Sequence, residues 1–186
     1  MTSKTELGPL TRLAGTWEGD EGADVAFSNQ NACLVETPYR ERTSFSPFGP
    51  VENGSQVLFG LDYRTSAWRH GEEIPFHTEV GYWLWDAADG QVMRCFMVPR
   101  GSTILAGGPA GPNDTTFTMM AEVGSESYGI LSSQFLAANA RSTSYAVTVS
   151  VGDDGSYSYE ETTTMEHRRS TDLVVHTDRN RLRRVE

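Results

Sequence analysis

The chain predicts an all-β fold, a single antiparallel barrel of about ten short strands with one short helix near the N terminus. Three observations carry this. β-Branched and aromatic residues gather in short runs of alternating polarity. Those runs are separated at close spacing by Gly, Pro, Asn and Asp turn signals, and only the first residues space their apolar groups as a helix does. Periodicity alone fits a sandwich as well as a barrel; the barrel is the expectation carried forward. No fixed-length repeat and no linker composition divides the 186 residues. Residues 1–186 are therefore read as one domain, long enough to bury a sizeable core.

Leu7, Leu10 and Leu13, with Pro9 near the start, fit one or two helical turns leading into Gly15. A first strand follows from GTWEGDEG, its glycines marking bends or bulges. Cys33 to Phe45 alternates Val35, Thr37, Tyr39, Glu41 and Thr43 against Leu34, Glu36 and Arg40. Pro38 interrupts it, and a proline there must sit at an edge or a bulge. After the loop SPFGPVENG, Gln56 to Ser66 reads as a strand that hairpins into the most strongly patterned segment, Gly71 to Asp86 (GEEIPFHTEVGYWLWD). Alternation sets His77, Glu79, Gly81, Trp83 and Trp85 on one face and Thr78, Val80, Tyr82 and Leu84 on the other. Both faces carry large apolar groups, so neither is expected to be fully wet. Further strands are read at Gln91–Pro99, Ser102–Ala106, Thr115–Val123, Tyr145–Val151, Ser156–Met165 and Leu173–Thr177. Ser133–Ala140 reads as a short helix or a strand.

Composition narrows the partners. A net charge of −10 argues against a nucleic-acid partner and disfavours an anionic membrane surface. The basic cluster Arg179, Arg181, Arg183 and Arg184 reads as a solvated final strand. No run approaches the ~20 apolar residues of a spanning helix, and MTSKTELGPL lacks a signal-peptide apolar core. A cytoplasmic protein without a membrane partner is expected. Cys33 and Cys95 form no CxxC or zinc spacing and read as small apolar residues.

The four histidines, His70, His77, His167 and His176, belong to no HExxH or zinc-finger spacing. GxSxG is absent, and the AGGPAG loop lacks the GK[ST] of a phosphate-binding loop. Acidic neighbours such as Glu160 with Glu161, or Asp153 with Asp154, read as water-facing. Met93, Met97, Met119 and Met120 read as core filler. On these grounds a barrel of this size can hold a small ligand in its cavity, of unspecified chemistry.

Four segments sharpen the reading: LTRLAGTWEG (Leu10 to Gly19), GLDYRTSAWRHGEEIPFHTEVGYW (Gly60 to Trp83), PRGSTILAGG (Pro99 to Gly108) and a histidine near the last strand. Together they resemble the nitrobindins, haem-binding barrels of lipocalin- or fatty-acid-binding-protein-like shape that also occur as the C-terminal domain of a THAP-type zinc-finger protein. The most specific piece is P-x-H-x-E-x-G-Y, here Pro75, His77, Glu79, Gly81 and Tyr82. The resemblance implies a barrel open at one end that holds haem b, its ferric iron bound by one histidine. His176 matches that axial position, and His77 with Phe76 matches the pair on the opposite side. It also implies reaction with nitric oxide and isomerisation of peroxynitrite. Two features depart from the family pattern: the segment after Trp17, and the Thr177–Asn180 stretch after His176. If DRN (Asp178–Asn180) is a tight turn, the last strand ends at Asp178 and His176 points away from the cavity. A haem-free barrel binding a fatty acid or another small apolar molecule is the alternative. In barrels of this shape Trp17 closes one end, and Arg183 or Arg184 stacks on it.

Overall fold

The computed structural model describes residues 6–186; the first half of the MTSKTELGPL segment lies outside them. A 3-10 turn at Gly8–Leu13 leads into β1 (Gly15–Ser28), β2 (Cys33–Asn53), β3 (Gln56–Arg69), β4 (His77–Asp86), β5 (Gln91–Val98), β6 (Ser102–Pro109), β7 (Thr116–Val123) and β8 (Gly129–Ser132). The helix α1 (Gln134–Asn139) precedes β9 (Ala140–Val151), β10 (Ser156–His167) and β11 (Val174–Arg184). The strands close into a barrel in the order β1-β11-β10-β9-β7-β8-β6-β5-β4-β3-β2.

Among the described residues there are thus eleven strands, and the barrel is mixed: β7 and β8 run parallel, Glu122 beside Gly129 and Val123 beside Ile130. Near Gly107 β6 pairs directly with β7. Toward Ser102–Ile104 the two diverge, and β8 fills the gap beside β6. An inserted strand supplies partners for β6 backbone groups that would otherwise be unpaired. The chain turns into it through Gly124 and Tyr128, both at positive φ. The short stretch lies between stronger patterns, so alternation passes over it.

Proline placement follows the same rule. Pro38 pairs with Ala23 of β1, while the β2–β3 ladder begins only at Tyr39. Pro38 therefore sits where β2 is a local edge, the site a residue without an N–H requires.

The 3-10 turn seals one end. Leu10 and Leu13 are fully buried there, in one core with Trp17, Trp85 and Val92. Trp17 Nε1 donates to Leu13 O at 2.7 Å, and the Arg184 guanidinium lies 4.7 Å over the Trp17 ring. Next comes an aromatic layer in which Phe45 contacts Tyr63, Trp83 and Tyr157. β4 passes over β5 closely enough that a Cβ on Gly81 would meet Cys95 O at 1.9 Å. That contact gives the glycine of the P-x-H-x-E-x-G-Y segment a packing reason.

Two expectations about outer surfaces change. The outer face of β4 is wetter than its composition suggests, with Tyr82 half-exposed. Of the four methionines only Met119 is fully buried, while Met97 and Met120 are exposed. Cys33 is exposed as well, and neither cysteine is in a disulfide. Among the described residues no helix is long and apolar enough to cross a membrane.

Candidate functional site

Between the aromatic layer and the opposite end the barrel interior is polar. Odd positions of β10 and even positions of β11 face inward, so Tyr157, Tyr159, Glu161, His176 and Asp178 all line the inner chamber. Glu79 faces inward with Trp83 and Trp85 on β4, and Arg94 with Val92 and Phe96 on β5. Closure of the barrel brings these strands together around one guanidinium. Arg94 Nη2 donates to Glu79 Oε2 at 2.5 Å and Tyr63 OH at 2.8 Å; Nη1 donates to Glu161 Oε2 at 2.8 Å and also meets Tyr145 OH. Arg94 is only 6% exposed and Glu79 only 5%. A second cluster lies beside it. Glu41 accepts from Thr43, Thr65, Tyr159 and Asn180, and Tyr39 donates to Asp178.

These groups titrate unusually. Burial alone would raise the Glu79 pKa, but Arg94, His77 and Tyr63 overcome it and hold the carboxyl at about 2. Asp178 goes the other way, to about 8, through burial and the neighbouring Glu161 charge. Burial pushes the Tyr39, Tyr63, Tyr145, Tyr157 and Tyr159 phenols up, keeping them neutral donors.

The polar layer is the floor of a second cavity, about 240 Å³, toward the end opposite the 3-10 turn. Its walls include Phe27, Phe96, Val98, Ile104, Leu136 and Met165, with Arg100 at the lining as well. Both strand histidines of the sequence reading, His77 and His176, line it. Phe76 does not: it lines the inner chamber, edge-on to Tyr39 and beneath the Arg69 guanidinium.

The strand end that matters for His176 is settled by β11, which runs unbroken from Val174 to Arg184. DRN is not a turn here. Glu161, Thr162, Tyr159 and Glu160 of β10 pair with Asp178, Thr177, Asn180 and Arg179, and this ladder keeps the segment extended. His176 consequently faces the cavity, its side chain 29% exposed, with Nε2 2.6 Å from Asp24 Oδ1. Burial would lower its pKa, but the Asp24 carboxylate outweighs burial and the value rises.

His77 Nε2 lies 3.0 Å from Glu79 Oε1. Burial opposes its protonation, yet the Glu79 hydrogen bond and charge carry the pKa up to about 9. Because the folded value lies above the ordinary histidine value, the stabilisation is fully present below about pH 6.5. It is lost as pH rises through about 9. With the side chain 37% exposed, solvent screens part of the effect. An NMR titration should find the His77 ring still protonated at pH 8 and neutral in Glu79→Gln; a midpoint near 6.5 in both proteins would contradict the pairing.

Four site residues escaped the sequence reading. Glu161 is drawn inward onto Arg94 instead of facing water, because odd positions of β10 point to the core. Arg94 and Glu79 each share a strand face with large apolar residues, which is a signal of burial. His167 ends β10, lines the larger cavity and lies 4.2 Å from the Phe27 ring, centroid to centroid.

Comparison with known proteins decides the family. The model of the THAP4-like, heme-binding beta-barrel domain matches residues 6–184. The chain belongs to that family. Curated relatives named peroxynitrite isomerase, from Clavibacter sepedonicus and from Clavibacter michiganensis subsp. michiganensis, are each 36% identical over 80 residues. Those 80 residues cover 42% of this chain and 35% of each relative, so only about a third of the relatives' length is matched. The fold also resembles Rv2717c from M. tuberculosis, with a TM-score of 0.64 at 17% identity over 97% of this chain and 98% of that one. Within this haem-binding barrel family, the larger cavity is the place to look for the ligand.

The residues lining it fit a haem. His176 lines a largely apolar cavity, and Asp24 Oδ1 holds its Nε2, so Nδ1 is the ring nitrogen left for a metal. Arg100 stands on the lining of the same cavity, where a guanidinium suits carboxylate substituents. Among the described residues no group of three or more His, Cys, Asp or Glu side chains is arranged to hold a metal ion.

Proposed function

We propose that this barrel binds haem b in the larger cavity, with His176 as the axial ligand and His77 on the other side, and that it acts on nitric oxide or peroxynitrite there. Phe76, matched by the resemblance to the same side, stands in the inner chamber instead. The observation that carries the reading is the inward-facing His176 imidazole on β11, in a chain of a haem-binding family. A ferric haem held through one imidazole supplies an open coordination position for a diatomic gas or an oxidant. The chain supplies the surroundings. Glu79 holds His77 as an imidazolium that favours an anionic species in the cavity, and the apolar walls restrict water. Phe76 packs against Tyr39 just before β4, on the inner chamber. Peroxynitrite isomerisation and a cytoplasmic location are parts of the same proposal.

A second reading is a haem-free barrel for a fatty acid or similar molecule. It is favoured by apolar walls beside a guanidinium, which suit an amphipathic carboxylic acid as well as they suit haem. Haemin titration separates the two. A Soret band that saturates at one equivalent supports the haem reading. No saturable band, with a fatty acid recovered by extraction and mass spectrometry, replaces it with the second.

A further inference from the structure

We infer that Asp24 is a positioning residue for His176, fixing the plane of its ring and strengthening it as a donor to iron. The inference rests on the axial role of His176 proposed above. Asp24 is not part of any motif that suggested haem; it lies in the EGDEGADVAF segment, where the sequence departs from the family pattern.

The geometry comes from the β1–β11 ladder. Asp24 pairs with Asp178 and Val25 with Thr177, so Asp24 and His176 lie diagonally across the two strands, both facing inward. Their side chains meet at 2.6 Å, Oδ1 to Nε2, with the Asp24 side chain only 13% exposed. A register shift in β1 between Glu18 and Ala23 precedes this contact. Such irregularities re-aim the side chains that follow them, and here the side chain that follows is a carboxylate turned onto the imidazole.

With Nε2–H donated to Asp24, the lone pair of Nδ1 is the one left for a metal. The carboxylate also raises the basicity of that nitrogen and holds the ring plane. A buried Asp–His pair that merely tied β1 to β11 would add stability and leave the properties of a bound iron untouched. The two roles therefore differ in what they move.

The test is Asp24→Asn in the full chain, which keeps size and hydrogen bonding while removing the charge. The iron–histidine stretching frequency of the ferrous haem protein, read by resonance Raman, should fall in Asp24→Asn. The reduction potential should rise, since a weaker donor stabilises the ferric state less. Haemin affinity should drop about ten-fold or more, the loss typical of such outer partners. Asp24→Glu, which restores the charge, should recover most of the frequency. Unchanged frequency and potential in Asp24→Asn would overturn the inference while leaving His176 as the ligand. Tighter haemin binding would overturn it too, showing that Asp24 competes with iron for the nitrogen. A wild-type protein that binds no haemin would overturn both the inference and the ligand assignment beneath it.

Discussion

Arg94→Met should cost about 3–5 kcal/mol of folding stability at neutral pH, the range for removing one partner of a buried ion pair. Methionine replaces the volume and leaves Glu79 and Glu161 without the guanidinium that both now share. The loss is therefore one of uncompensated charge more than of packing. Its pH dependence carries the signature. In the wild type the Glu79 pKa lies at about 2, below the ordinary carboxylate value. Its contribution is present above the ordinary value and is lost as pH falls toward about 2. In Arg94→Met Glu79 keeps only His77 as a cationic partner, so burial weighs more heavily and its pKa rises above the wild-type value. The variant should regain stability relative to wild type on moving from pH 7 to pH 5, as that carboxyl takes up a proton more readily than in the wild type. Urea unfolding at the two pH values checks both magnitude and slope. Arg94→Lys should recover only part of the loss, since a point charge cannot serve both carboxylates and two phenols as the planar fork does. A small loss with the wild-type slope would show that Glu79 and Glu161 find other partners.

His176→Ala should abolish saturable haemin binding. The imidazole is the side chain the proposal assigns to iron, and truncation leaves the apolar walls intact, so residual binding should be weak and without a one-equivalent end point. The fold should survive, because His176 lies at the ligand cavity and outside the aromatic core. Loss of its contact leaves Asp24 unpaired at a partly buried site, worth about 1–3 kcal/mol. Thermal unfolding of the apo protein measures that cost separately from haemin binding. A His176→Ala protein that still binds one equivalent as tightly as wild type would remove His176 from the axial role. His167 would then be the residue to replace next, since it lines the same cavity.

Much of the scaffold was readable from the chain, and the reasons are local. The β4 run announces itself through aromatic and β-branched residues, and the glycine and proline turns delimit its neighbours. Trp17 with Arg184 appears where the barrel shape demands a plug. His77 and His176 were readable only through the resemblance, since a lone strand histidine carries no spacing to distinguish it. Where the reading failed, it failed over neighbours distant in the chain. Glu160 and Glu161 look equivalent in sequence, yet only Glu161 reaches Arg94. Asp178 to Asn180 has the composition of a turn, and its pairing with β10 makes it a strand.

The amino-acid sequence by itself determined the strand class, through side-chain periodicity and turn chemistry, both properties of residues close in the chain. The Trp17 plug at the closed end was legible only through the resemblance, since its partner Arg184 lies at the far end of the chain. Only the tertiary structure decided the interior. Alternation tells which side chains point inward, but not which of them meet. Glu79 of β4, Arg94 of β5 and Glu161 of β10 become one ion-pair network because barrel closure brings distant strands to face each other across a few ångströms. Asp24 meets His176 for the same reason: β1 and β11, the first and last strands, are neighbours only once the ring is closed.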